Sequence, residues 1–79
     1  MVFISTEEEY SRHCNFNGCL AKELDRRYSP NPWVFQDAVE YSAIEQHFAV
    51  NFRNFDGSRH LTVGVKRIDG VFCYTFSEQ

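Results

Sequence analysis

No apolar run in the chain approaches the roughly 20 residues that a membrane-spanning helix needs, which excludes a helical membrane protein. A paired cysteine framework is missing, since cysteine is odd in number. Cys14, Cys19 and Cys73 have no framework spacing, so reduced thiols are expected in place of disulfides. His13 and Cys14 with Cys19 form an H-C-x4-C cluster, but no second ligand pair exists, and neither a metal nor another cofactor is expected. A cationic excess is also missing: 8 Lys and Arg stand against 11 Asp and Glu, a net charge of -3. Broad nucleic-acid binding usually needs a clear cationic footprint, so it is not expected here. There is no G-x-S-x-G, phosphate-binding glycine loop, H-E-x-x-H or acidic metal triad, and the chain reads as a non-enzyme. Met1-Val2-Phe3-Ile4-Ser5 lacks both a basic n-region and a long apolar h-region, so a cytoplasmic protein without a secretory signal is expected.

Aromatic residues are what the chain has in excess. Eight Phe, four Tyr and one Trp make up 16% of 79 residues. A single domain over residues 1–79 follows from that length, and such a domain buries only about 60% of its unfolded surface. Large rings let a small core carry more apolar area per residue.

The N-terminal part, about 5–41, reads as helical. Ser5-x-x-Glu8 and Thr6-x-x-Glu9 are overlapping capping boxes, and Tyr10, Cys14, Leu20 or Ala21, Leu24 and Tyr28 follow at three-to-four spacing. Asn15-Phe16-Asn17-Gly18 interrupts the stripe, with Gly18 as a helix stop. Two helices, about 6–14 and 18–28, are therefore expected, with one kinked helix as the alternative. Ser29-Pro30-Asn31-Pro32 is the clearest punctuation, after which Asn31 can cap a short third helix over 32–41. The same stretch alternates partly as Trp33, Phe35, Val39 and Tyr41, so a strand competes.

The C-terminal part, about 43–77, reads as a meander. Asp56-Gly57 and Asp69-Gly70 each lie between alternating segments, the pattern of a two-residue type I′ hairpin turn. Placing the turns there pairs Phe52 with Leu61, Val50 with Val63 and Phe48 with Val65, then Val65 with Tyr74 and Val63 with Phe76. Both hairpins then put their large apolar residues on one face, which is strong support for the register. Ser42-x-x-Glu45 is a rival capping box that would start a helix through 43–50. The expected fold is α+β: two or three short helices packed on one face of a three-stranded antiparallel β-meander.

On the opposite face of those three strands the pattern gives a polar, slightly basic surface without an aromatic residue. Five of its residues are candidates for a polar site: His47, Arg53, His60, Lys66 and Cys73. Lys66 falls opposite Cys73 and His47, and an ammonium beside a thiol favours the nucleophilic thiolate, so a small-ligand or redox-responsive thiol protein is one alternative function. A second alternative is a helix-turn-helix-like DNA-binding regulator, because Lys22, Arg26 and Arg27 lie on the second helix; Glu23 and Asp25 among them argue against it.

The function the sequence favours is non-catalytic protein recognition. Residues 1–46 hold eight acidic and four basic side chains, while 47–79 hold three and four. Glu7, Glu8, Glu9, Glu23 and Asp25 form a candidate partner-binding patch for a nucleic-acid-handling protein, as a phage- or mobile-element-type adaptor or inhibitor would use. The uncharged strand over residues 71–77 is an edge through which a homodimer could also form.

Overall fold

Strand formation near the N-terminus is the main departure from the sequence reading. A computed structural model of the chain describes residues 1–14 and 18–79. In chain order it contains β1 (Val2–Ile4), α1 (Glu7–His13), α2 (Cys19–Arg27), β2 (Val34–Ser42), β3 (His47–Arg53), β4 (His60–Ile68) and β5 (Val71–Glu78). The five strands form one antiparallel sheet in the order β1-β2-β3-β4-β5, so the expected three-stranded meander with two or three helices is corrected to five strands and two helices. No helix among the described residues is long and apolar enough to cross a membrane.

Both helices start and stop for local reasons. Thr6 is the N-cap of α1: its Oγ1 accepts the Glu9 N–H at 3.2 Å and donates to Glu9 Oε1 at 3.1 Å, the second of the two capping boxes. Glu7, Glu8 and Glu9 then lie at the positive end of the helix dipole, and Arg12 and His13 at the negative end. Gly18, with φ of 85°, is the N-cap of α2 and does not stop the first helix, which closes at Cys14. The interruption at 15–17 lies outside the described residues.

Residues 32–41 are not a helix. Asn31 does not cap one; its Oδ1 accepts the Trp33 N–H at 2.9 Å in an Asx turn that feeds β2. Irregularities between Phe35 and Asp37 and between Glu40 and Ser42 each insert a residue into β2 relative to β3. Each bulge switches the faces of the following side chains. Phe35 therefore faces the helices beside Phe52, while Val39 faces away beside Ala49, although simple alternation puts the two on one side. The Ser42 box does form a bond, Glu45 N–H to Ser42 Oγ at 3.1 Å, but it closes a turn ending at Gln46 (φ 50°) and no helix follows.

The β3–β4–β5 register is the one the Asp-Gly positions imply. The second turn carries positive φ at both Asp69 (52°) and Gly70 (79°), as a type I′ turn requires. The first differs. Only Gly57 has positive φ, and Asn54 N–H bonds Arg59 O at 3.2 Å, so the loop is wider than two residues. A four-residue loop centred on the same dipeptide leaves the strand register unchanged.

One sheet face carries the core. Ile4, Ala38, Val50 and Val63 form one row across four strands; Phe52 and Leu61 lie to one side, Phe48 and Val65 to the other. The helices press Tyr10, Cys14, Leu20 and Leu24 onto it, and all of these side chains are buried. No polar or charged side chain is buried among the described residues.

Candidate functional site

The acidic residues of the helical layer have unequal circumstances. Glu23 forms an ion pair with Arg26, and that hydrogen bond holds its carboxyl below the usual glutamate range. Asp25 Oδ1 accepts from Asn31 Nδ2 at 3.0 Å, and Glu9 closes the α1 cap. Glu7 and Glu8 make no ion pair among the described residues and stand at the surface on the first turn of α1. Of the five residues, Glu23 alone is paired with a cation among the described residues, while Glu9 and Asp25 accept hydrogen bonds from neutral side chains.

Glu7 also lines a cleft that the sequence did not reveal. About 280 Å³ in volume, the cleft lies where α1 and α2 meet the start of β2. Tyr10, Leu24, Trp33, Phe35 and Phe52 supply its apolar lining, and Glu7 and Asn31 its polar groups. The rings fix one another: Tyr10 stacks on Phe35 with centroids 4.5 Å apart and meets Phe52 edge-on at 6.0 Å. Tyr28 packs edge-on against Trp33 at 5.6 Å, and the Arg59 guanidinium lies 5.1 Å from the Trp33 ring. Among the described residues the Trp33 indole Nε1 is buried without a hydrogen-bond partner. Pockets for drug-sized ligands start at about 300 Å³, so this cleft suits a single side chain better than a cofactor.

The polar face of the sheet divides the other five candidates into two groups. His47, Lys66 and Cys73 line one shallow depression of about 240 Å³ with Gly64, Ile68 and Thr75. Arg53 pairs with His60 further along the sheet and folds over the β3–β4 loop, donating to the carbonyls of Asn54 (3.3 Å) and Phe55 (3.4 Å). Between the groups runs a hydrogen-bonded chain, Thr62 Oγ1 to Asn51 Oδ1 at 2.8 Å and Asn51 Nδ2 to Asp37 Oδ1 at 2.7 Å. Cys73 Sγ lies 3.9 Å from the Val71 carbonyl oxygen.

This face is not free of aromatic rings, because β1 and β2 extend it. Phe3 continues the row of Val39, Ala49 and Gly64 and is 64% exposed. Tyr41 is half exposed, its ring 4.9 Å from that of His47. The absence of an aromatic residue from the polar face therefore held only for the three strands read from sequence. Gly64 sits in that row next to Thr75 of β5, where an added Cβ would meet Thr75 Cβ at 3.7 Å, an ordinary contact. Gly64→Ala is thus expected to raise stability by about 0.5–1 kcal/mol, because glycine weakens a strand interior. A denaturant midpoint that falls would show that the dip requires glycine.

The remaining sequence candidates are dispersed. Cys14 is fully buried, whereas His13 and Cys19 are exposed, and no three His, Cys, Asp or Glu residues converge as metal ligands among the described residues. On α2, Arg26 is held by Glu23 and Arg27 covers the Phe76 ring at 4.0 Å, and among the described residues Lys22 makes no ion pair. Comparison of the chain with known protein families, curated proteins and solved structures found no match.

Proposed function

We propose that this protein is a small non-catalytic interaction module, an adaptor or inhibitor, that docks the first turn of α1 and the adjoining cleft onto a basic surface of a nucleic-acid-handling protein. The observation that carries the reading is the position of Glu7 at an aromatic-lined cleft with room for one side chain. Binding energy at interfaces concentrates where an anchor fills a desolvated pocket, while surrounding charge sets orientation and on-rate. A partner arginine or lysine would lay its aliphatic stem along Tyr10 and Trp33 and bring its cation to Glu7, with Glu8 beside it. Surfaces that handle nucleic acid present such cations in arrays.

Glu7→Lys with Glu8→Lys tests this without disturbing the cap, which uses Thr6 and Glu9. Against a partner identified by affinity capture, the double variant is expected to lose about tenfold or more in affinity, equivalent to about 1.4 kcal/mol. Its affinity should also vary less with salt. Unchanged affinity and an unchanged salt slope would reduce the acidic turn to a dipole-matched helix start.

A further inference from the structure

β5 lies at the edge of the sheet, with no further strand beside it among the described residues. β1, at the opposite edge, spans three residues, whereas β5 spans eight. Residues 71–77 contain neither proline nor a charged side chain. Natural edges of that length and composition are usually covered, interrupted or paired. The N-terminal strand is not the cover, since it pairs with β2.

The backbone fixes which groups of β5 look outward. His60 and Gln79 exchange both N–H···O bonds, at 3.4 and 2.8 Å, so they are a hydrogen-bonded pair of the β4–β5 ladder. Such pairs alternate along an antiparallel ladder. Ser77, Thr75, Cys73 and Val71 therefore bond inward to β4, while the N–H and C=O of Tyr74 and Phe76 point out across the edge. The uncharged segment is symmetric about Tyr74, with three residues on each side.

We propose that the protein associates with a second copy of itself by antiparallel pairing of the two β5 edges about a two-fold axis at Tyr74. Tyr74 then bonds Tyr74 of the second copy, and Phe76 sits across from Phe72 of the second copy on the helix-bearing face. On the opposite face Cys73 falls across from Thr75 in a non-hydrogen-bonded pair. Sliding the register one step one way brings Glu78 opposite Phe72, and one step the other way shortens the paired run to residues 71–75, so the centred register gives the longest contact free of charge. The result is a continuous sheet of ten strands, five from each copy. Seven paired residues span about 24 Å of strand. That contact is smaller than the roughly 1,600 Å² of a standard interface, so the dimer is concentration-dependent.

The register gives the test. Cα atoms of a non-hydrogen-bonded pair are about 4.5 Å apart, within disulfide range, while the next diagonal position lies beyond it. In a Cys19→Ser background, light scattering from micromolar to millimolar concentration should show the mass rising toward that of a dimer. Under mild oxidation Thr75→Cys should give a covalent dimer, and adding Cys73→Ser should abolish it. Neither the Cys19→Ser chain itself, through Cys73 alone, nor Ser77→Cys should cross-link, since those links report the two neighbouring registers. Circular dichroism matching the parent chain would establish that each variant is folded. A monomer at every concentration would overturn the proposal. So would a dimer that cross-links through Ser77→Cys or Cys73 alone, and so would one that resists the Thr75→Cys link, as expected if another surface mediates association.

Discussion

Leu61→Ala is expected to lower unfolding free energy by about 2–5 kcal/mol, the range for deleting a fully buried leucine side chain. Leu61 has no solvent exposure and lies on β4 between Phe52 of β3 and Glu78 of β5. Phe52 touches Tyr10 and Phe35, so the deletion would leave a void beneath the ring cluster that fixes the cleft. At about 0.05–0.15 kcal/mol per residue, a chain of 79 residues has roughly 4–12 kcal/mol in total. The variant would therefore lose a third or more of its stability on central values. Urea unfolding at neutral pH provides the measurement, with Ile44→Ala as the comparison, because Ile44 is 98% exposed and its loss should stay within about 0.5 kcal/mol. Equal midpoints for the two variants would contradict the placement of Leu61 in the core.

What was legible in the sequence depended on how local its cause was. The Asp69-Gly70 turn was readable because positive φ at two adjacent positions is a property of the dipeptide itself. The β3–β4 register was readable even though its loop is wider than expected, because both loops share one centre. β2 was legible only as a competitor to a short helix over 32–41. Its two bulges send Phe35 and Val39 to opposite faces, which blurs the signal of period two in the sequence. β1 is three residues long and pairs with residues 38–40, far along the chain, so nothing near Val2–Ile4 announces it.

The site followed the same division. The acidic first turn of α1 was marked by its capping boxes, which are contiguous in sequence. The cleft beside it is assembled from both helices, the β2 entry and β3, and no spacing rule connects Tyr10 to Trp33 or Phe52. Phe3 and Tyr41 were missed on the polar face because β1 was not placed in the sheet and β2 stood only as an alternative to a helix. A polar-face argument made from three strands thus left out the two strands that carry its aromatic rings.

Alkaline pH should unfold this protein through residues of that same helical layer. Cys14 is fully buried, and burial, aided by the Glu40 carboxylate, pushes its thiol up from an ordinary value of 9.0 to about 12. Burial raises the Tyr10 phenol as well, with Cys14 and Glu7 adding to it. Both groups are neutral when protonated, so a raised folded-state value means that the fold holds the proton more tightly than the unfolded chain does. Their contribution is fully present below about pH 9 and is lost as pH rises from there toward the folded-state value. Cys14 alone should remove about 1.4 kcal/mol per pH unit above 9, or roughly 3 kcal/mol by pH 11, and Tyr10 should steepen the decline above pH 10. Urea unfolding at pH 8, 9, 10 and 11 would trace the loss. Cys14→Ala should make the segment between pH 9 and 10 shallower, because there the phenol is at most about half ionised in the unfolded chain. The same slope in both proteins over that interval would show that Cys14 titrates in the fold as it does in the unfolded chain, and that α1 does not seal it against the sheet.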